Sequence, residues 1–260
     1  MSAKPKVLIT GASSGIGAVY ADRFARRGHD LALIARDGGR LRDIAGRLEV
    51  EAGVKVDVLR ADLTEPADLA AVEARLRDDE AIEVLVNNAG IAAAGEFLGH
   101  ANEIRDRLIG LNVTAPTRLA AAIALRLAQA GRGAIVNIGS VIGFAPELGM
   151  ALYGASKAFL LHLSQGLRRE LGPKGVYVQA VLPAATRTEI WDRVGLDVNA
   201  LPAVMEVDDL VDAALAGFDR REAVTIPGLP DEAQWQAYQA ARVAMLPNLR
   251  QSRPAARYRG

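Results

Sequence analysis

The sequence predicts a doubly wound α/β protein: a parallel sheet of about seven strands, helices on both faces, and a C-terminal helical extension. Three observations carry this. Short β-rich runs alternate with longer stretches of helical periodicity along most of the chain. The strand runs are apolar at consecutive positions, as strands covered on both faces are. A glycine-rich turn joins the first strand to the first helix. Repeated strand–helix–strand order implies parallel pairing through helical crossovers.

The elements follow in order. Lys6–Thr10 reads as a buried strand, and Ile16, Val19, Tyr20 and Phe24 follow at helical spacing until Gly28. Leu31–Ala35 is the second strand. Leu41, Ile44, Ala45 and Leu48 mark a helix that stops before Gly53. Val54–Leu59 is the third strand, and Pro66 opens a helix to about Arg77. Ile82–Val86 is the fourth strand, a long helical region covers 101–130, and Ala134–Ile138 is the fifth. A helix over 152–171 leads to strand Val176–Leu182, a helix over 207–218 and a last strand at Ala223–Ile226, ended by Pro227-Gly228. No linker or internal repeat divides the chain. One domain is expected over 1–250, with a flexible basic tail at 251–260 that holds Arg253, Arg257 and Arg259.

Composition excludes several function classes. Basic and acidic residues number 31 each, so no net field favours nucleic acid or an anionic membrane. With no cysteine there are no disulfides, thiolate metal sites, iron–sulfur clusters or thiol nucleophile. The three histidines, His29, His100 and His162, are too scattered for a metal site. Val7-Leu8-Ile9 is too short for a signal core, and no unbroken apolar run approaches the ~18 residues of a membrane span. A cytoplasmic protein is expected. Only five of the 31 basic residues are lysines, so a lysine inside a motif carries weight.

Thr10-Gly11-Ala12-Ser13-Ser14-Gly15-Ile16-Gly17 links the first strand to the first helix. Glycines there let the backbone turn sharply and approach a pyrophosphate, while the helix N-terminus offers unpaired N–H groups. The second strand ends at Ala35-Arg36-Asp37. NAD-binding folds of this kind place an acid near here for the ribose hydroxyls, and NADP-binding ones use arginine for the 2′-phosphate. Ala35 replaces the acid and Arg36 follows, with Arg40 one turn on. NADP(H) is therefore expected over NAD(H), although Asp37 could still serve a ribose. Asn87-Asn88-Ala89-Gly90 ends the fourth strand and suits either a ligand crevice or an ordinary turn. Tyr153 and Lys157 share a helix face at i, i+4. A lysine cation there is expected to lower the phenol pKa from ~10 and make it a usable acid or base. Alone, such a pair is an ordinary solvated face. Ser140, just past the fifth strand, changes that reading, because its hydroxyl could polarise a carbonyl oxygen.

Together these motifs resemble the short-chain dehydrogenase/reductase family in its compact form. The resemblance runs from about Lys6 to Gly228 and rests on TGASSGIG at 10–17, Asp62-Leu63, NNAG at 87–90, Asn112, Ser140 and YGASK at 153–157. It implies a Rossmann-type fold and hydride transfer between a nicotinamide and a ketone, aldehyde or alcohol. In that scheme Tyr153 is the general acid of reduction, Lys157 holds the nicotinamide ribose, Ser140 orients the substrate oxygen and Asn112 supports a water relay. Gly11, Ser13, Ser14, Gly15, Ile16 and Gly17 line the pyrophosphate. Arg36, Asp62, Leu63 and Asn88 serve the adenosine half, and Pro183, Thr186 and Thr188 the nicotinamide half. An NAD-dependent alcohol dehydrogenase is the alternative on the same residues. A non-catalytic NADP(H) sensor would have no need of all three of Ser140, Tyr153 and Lys157.

Two departures from the family stand out: Pro183-Ala184 replaces the usual Pro-Gly, and the chain continues past Gly228 through Trp235, Tyr238, Val243 and Leu246. Core packing is the expected role of those apolar residues. Val141, Ile142, Ala92, Ala93, the 144–152 loop and 189–194 with Trp191 are expected to wall an apolar carbonyl pocket. Arg187 and Arg193 leave room for sugar acids. The resemblance and the apolar helical regions 101–130 and 152–171 also imply a homodimer or homotetramer.

Overall fold

The computed structural model describes residues 4–93, 95–193 and 195–259, apart from the Arg193 side chain. Among these, a seven-stranded parallel sheet runs in the order β3-β2-β1-β4-β5-β6-β7. The strands are β1 (Lys6–Thr10), β2 (Leu31–Ala35), β3 (Val56–Arg60), β4 (Ile82–Asn87), β5 (Ala134–Ile138), β6 (Tyr177–Val181) and β7 (Val224–Thr225). The sequence order reverses between β1 and β4, so their C-terminal ends border the crevice where ligands bind in such sheets.

Alternation along β1 shows how both faces are covered. Val7 and Ile9 pack with Tyr20 and Phe24 of α1 (Gly15–Arg26), Leu41 and Leu48 of α2 (Gly38–Ala52) and Leu210 of α8 (Val207–Asp219). Leu8 faces the other way, toward Leu69 and Leu76 of α3 (Pro66–Asp78) and Leu119 and Ile123 of α5 (Ala115–Ala130). The layered α/β expectation holds, with small corrections. β3 starts two residues later than expected. β7 is only two residues long and ends two residues before Pro227.

The helical region predicted over 101–130 is α4 (Asn102–Ile109), a π-turn (Gly110–Thr114) and α5. By length and mean hydropathy, 1.4 over its most apolar window, the stretch Asn102–Ala130 could cross a membrane. Leu108, Leu119, Ile123 and Leu127 of this stretch are packed in the core, whereas Ile104, Ile109 and Leu125 are exposed. α6 (Ala151–Leu171) packs against β6 and carries Tyr153 and Lys157. The short α7 (Ile190–Arg193) follows β6.

The chain divides into two compact units, Met1–Pro227 and Gly228–Gly260, whereas the sequence reading placed its boundary at 250. The second unit holds α9 (Glu232–Ala244), whose first turn is capped where Asp231 Oδ1 accepts from Ala233 N at 2.9 Å. Trp235 stacks on Tyr238 with ring centroids 5.2 Å apart. No residue of α9 is buried within the unit it belongs to. Amphipathic periodicity marks an apolar face but not what covers it.

Candidate active site

The turn after β1 is built around absent side chains. Gly11 has φ +66°, and a Cβ there would stand 2.9 Å from Ala89 Cα. A Cβ on Gly17 would stand 2.4 Å from Gly11 O and 2.5 Å from Asn88 Nδ2. Gly17 therefore lets α1 close on the loop and does not itself line the cleft. Thr10, which sequence reasoning passed over, ties this loop to the next. Its Oγ1 accepts from Asn88 N and Ala89 N, both at 3.0 Å. Asn88 Nδ2 donates to Thr10 O at 2.9 Å and Gly11 O at 3.2 Å. Ser13, Ser14, Gly15 and Ile16 then line the cleft at the N-terminus of α1, where first-turn N–H groups have no helical partner.

The corner beside β2 is charged and open. Arg36 lies 3.8 Å from Asp62 Oδ2, and Arg107 lies 3.5 Å from the same oxygen. Burial alone would raise the Asp62 carboxyl. The hydrogen bonds from Thr64, with Arg36 and Arg107 nearby, hold it below the usual carboxylate range. Leu63 borders the cleft beside it. Asp37 caps α2 by accepting from Arg40 N at 3.0 Å. Arg40 also pairs with Glu189 at 2.6 Å, so it already holds a carboxylate partner.

The opposite end carries the reactive groups. Ser140 Oγ donates to Pro183 O at 3.2 Å and lies close enough to the Tyr153 phenol to act on its pKa. Burial pushes the Tyr153 phenol up to about 12, against a smaller downward pull from Ser140. This corrects the expectation of a lowered phenol. Lys157 Nζ lies 5.6 Å from the Tyr153 ring centroid and donates to Ile138 O at 2.9 Å. Desolvation wins for both groups: the lysine, 5% exposed, is itself pulled down to about 8.

Asn112 sits in the π-turn, is 2% exposed and does not line the cleft. Its Oδ1 accepts from Ile91 N at 3.0 Å, while Nδ2 donates to Ile91 O at 2.8 Å and Ser156 Oγ at 3.1 Å. Ser156 in turn donates to Tyr153 O at 2.7 Å. Asn112 thus joins the loop after β4 to the helix that carries Tyr153. Sequence reasoning missed Ser156, whose place inside the Tyr–Lys motif is its only signal.

These residues surround one cleft of about 1090 Å³. Pro183, Ala184, Thr186 and Thr188 line it from the loop after β6. Ala184, where the family has a glycine, is exposed and lines the cleft. Trp191 lines the cleft as well, with its indole N–H on Thr186 O at 2.7 Å. Ala92, Val141 and Ile142 complete the expected wall; Ala93 is buried behind it. Val194 and the Arg193 side chain lie outside the described residues. Arg187 does not line the cleft. It is held by Glu206 at 2.8 Å and Asn199 at 2.8 Å, which removes it as a clamp for sugar acids. Among the described lining residues, the cations are Arg36, Arg40 and Lys157. Met150, another lining residue, has φ +52° and ψ +55°. A side chain held in that left-handed region costs about 1–3 kcal/mol.

The family model for short chain dehydrogenases matches residues 5–199. The chain belongs to the short-chain dehydrogenase family. Among solved structures, this short-chain dehydrogenase is 65% identical to one from Sphingobium yanoikuyae in complex with NADPH, with a TM-score of 0.96, over 97% of this chain and 98% of that one. It is 57% identical to a bulky-bulky ketone specific alcohol dehydrogenase from Comamonas testosteroni, with a TM-score of 0.93, over 99% of each chain. Among curated proteins it is 35% identical to a very-long-chain 3-oxoacyl-CoA reductase of Anas platyrhynchos, over 70% of this chain. The match spans 60% of that relative's length.

Proposed function

We propose that this dehydrogenase interconverts apolar ketones and alcohols with NADP(H). The observation that carries the reading is the convergence of Ser140, Tyr153 and Lys157 on one cleft whose other cations, Arg36 and Arg40, lie beside β2. Around the reactive end stand Ala92, Val141, Ile142, Met150 and Trp191, which suit a ketone flanked by apolar groups. The NADPH complex of the Sphingobium relative and the ketone specificity of the Comamonas one support the same reading.

The cleft fits the cofactor. Gly15 leaves the α1 N-terminus bare for the pyrophosphate. Gly90 keeps clear a space where a Cβ would stand 3.5 Å from Lys157 Nζ. Arg36 would hold the 2′-phosphate, Asp62 and Leu63 the adenine, Asn88 the adenosine ribose, Lys157 the nicotinamide ribose, and Thr186 and Thr188 the carboxamide. When bound, the nicotinamide supplies or accepts the hydride at the substrate carbon. The protein manages the oxygen. Tyr153, with its pKa near 12, keeps its proton at neutral pH and can give it to the developing alkoxide. Ser140 turns its hydroxyl from Pro183 O to the same oxygen, a preorganised donor where charge develops. Lys157 spends one N–H on Ile138 O and has two left for the ribose and the phenol. Asn112 fixes the surrounding backbone, and a relay water would complete the path from Lys157 to solvent.

Exposed apolar residues such as Ile109 and Leu125 on the 102–130 stretch and Phe159 on α6 suit a two-fold partner, and we read the enzyme as a homodimer at least. Purified protein incubated with NADPH and a panel of ketones and aldehydes, followed at the nicotinamide absorbance, tests the reading. Turnover of aryl ketones is expected, with kcat/KM for NADPH at least ~10-fold above NADH. No turnover of any carbonyl would reject it.

A further inference from the structure

Met150 and Arg221 are the described non-glycine residues with positive φ. Arg221 sits in the tight turn after α8, far from the cleft lining, with its guanidinium 5.4 Å from the Tyr177 ring centroid. Met150 is different. It is the residue before α6, three positions ahead of Tyr153, and its carbonyl accepts the helix's early hydrogen bond from Gly154 N at 2.8 Å. Residues 146–149 are exposed, and of this loop Leu148 and the half-buried Met150 line the cleft. The preceding Gly149 has φ +79°, a conformation glycine adopts freely. Methionine has no such freedom. Its side chain has no short polar group that would favour the left-handed region locally, as Asn or Asp does. A strained residue that survives beside a reactive centre points to a role for its side chain.

We propose that Met150 is a specificity-determining residue, kept in a strained backbone so that its flexible thioether walls the ketone end of the cleft beside Tyr153 and sets how large a substituent fits. Methionine suits that task, because an unbranched, polarisable chain adapts to irregular apolar shapes. The neighbouring walls differ in stiffness. Ile142 is β-branched, and Trp191 is fixed by its bond to Thr186 O. Met150 is the wall most able to yield. The proposal rests on the ketone reading above and names the residue that tunes it.

Two variants separate strain from bulk. Met150→Ala removes the side chain but keeps a Cβ in the left-handed region. Met150→Gly removes both. Each is assayed with NADPH on acetophenone and on butyrophenone, whose alkyl arms differ by two methylenes. Both variants are expected to shift the kcat/KM ratio toward butyrophenone by about 10-fold or more, the scale of one or two methylenes in an apolar pocket. NADPH affinity, measured by binding without ketone, should stay within about twofold. Met150→Gly should melt a few degrees above Met150→Ala, because glycine relieves the strain. A ratio that moves less than twofold in both variants overturns the specificity role. A glycine variant that melts at or below the alanine one overturns the strain argument. Wild-type protein that reduces neither ketone overturns this proposal, and failure on the whole carbonyl panel overturns the ketone reading as well. Wild-type turnover with an unmoved ratio overturns Met150 alone.

Discussion

The two ends of the cleft solve opposite problems. Beside β2, charged side chains stand in water: Arg36 and Asp62 are 3.8 Å apart, Arg40 pairs with Glu189, and Asp37 caps α2. Around Tyr153 the walls are apolar and the ionisable groups are desolvated, with the phenol pushed up and the ammonium pulled down. A wet corner can recognise a phosphate only by direct pairing, and solvent weakens each pair. A dry corner makes each hydrogen bond count for more, but it raises the cost of every charge it holds until substrate and cofactor arrive. On the proposed reading, the choice between cofactors is made at one end and the rate at the other.

The largest expected effect lies at the dry end. Tyr153→Phe keeps the ring and removes the transferable proton. Turnover should fall at least ~10²-fold, the usual scale for a general acid, with NADPH affinity nearly unchanged. Lys157→Ala should lose both turnover and affinity. A Tyr153→Phe enzyme of near-normal kcat would mean that another group supplies the proton, and the contrast between the two ends would collapse.

At the wet end the effect is smaller. Arg36 can make paired hydrogen bonds to a 2′-phosphate, worth about 1.5–3 kcal/mol before solvent discounts them. Its side chain is 49% exposed, so roughly 10-fold is expected for the loss of NADPH preference in Arg36→Ala. Ala35→Asp should invert the preference by placing a carboxylate against the phosphate. Arg40→Ala should matter less, because Glu189 and Asp37 already hold that guanidinium. Steady-state kinetics with both cofactors would read all three, and equal losses in Arg36→Ala and Arg40→Ala would show that the phosphate is shared.

The same contrast explains what could be read without coordinates. Gly11 and Gly17 were legible because backbone contacts of under 3 Å leave no room for a side chain, and such demands fix residue type. The sheet was legible because its strands are continuous apolar runs. The π-turn at Gly110–Thr114 was not, since Asn112 is anchored by Ile91 and Ser156, residues 21 and 44 positions away. Nor was the direction of the Tyr153 shift. Spacing shows that Lys157 is near, but only packing shows that burial, opposed by Ser140, sets the direction. The role of Met150 was equally hidden, because a positive φ leaves no mark on a methionine.

The smallest effect is also the sharpest test of the dry end. Burial pulls Lys157 from its usual 10.5 to about 8 in the folded protein. Below pH 8 both states carry the proton, and the fold bears the full cost of a buried cation. Between about 8 and 10.5 the unfolded chain binds a proton that the native one has released, so this group makes stability rise with pH. Above 10.5 the contribution is constant. Lys157→Met removes the titration and also leaves Ile138 O without its donor, which adds a pH-independent loss. Only the change with pH is therefore diagnostic. In cofactor-free protein, the melting temperature of wild type relative to Lys157→Met should climb by roughly 5–10 °C from pH 8 to 10.5, at about 2–4 °C per kcal/mol for a chain of this size. Saturating NADP+ should flatten the climb, because ribose hydroxyls that accept from the ammonium favour its charged form. A difference that stays level from pH 8 to 10.5 without cofactor would mean that Lys157 keeps its proton there, and that the end of the cleft around Tyr153 is wetter than its packing implies.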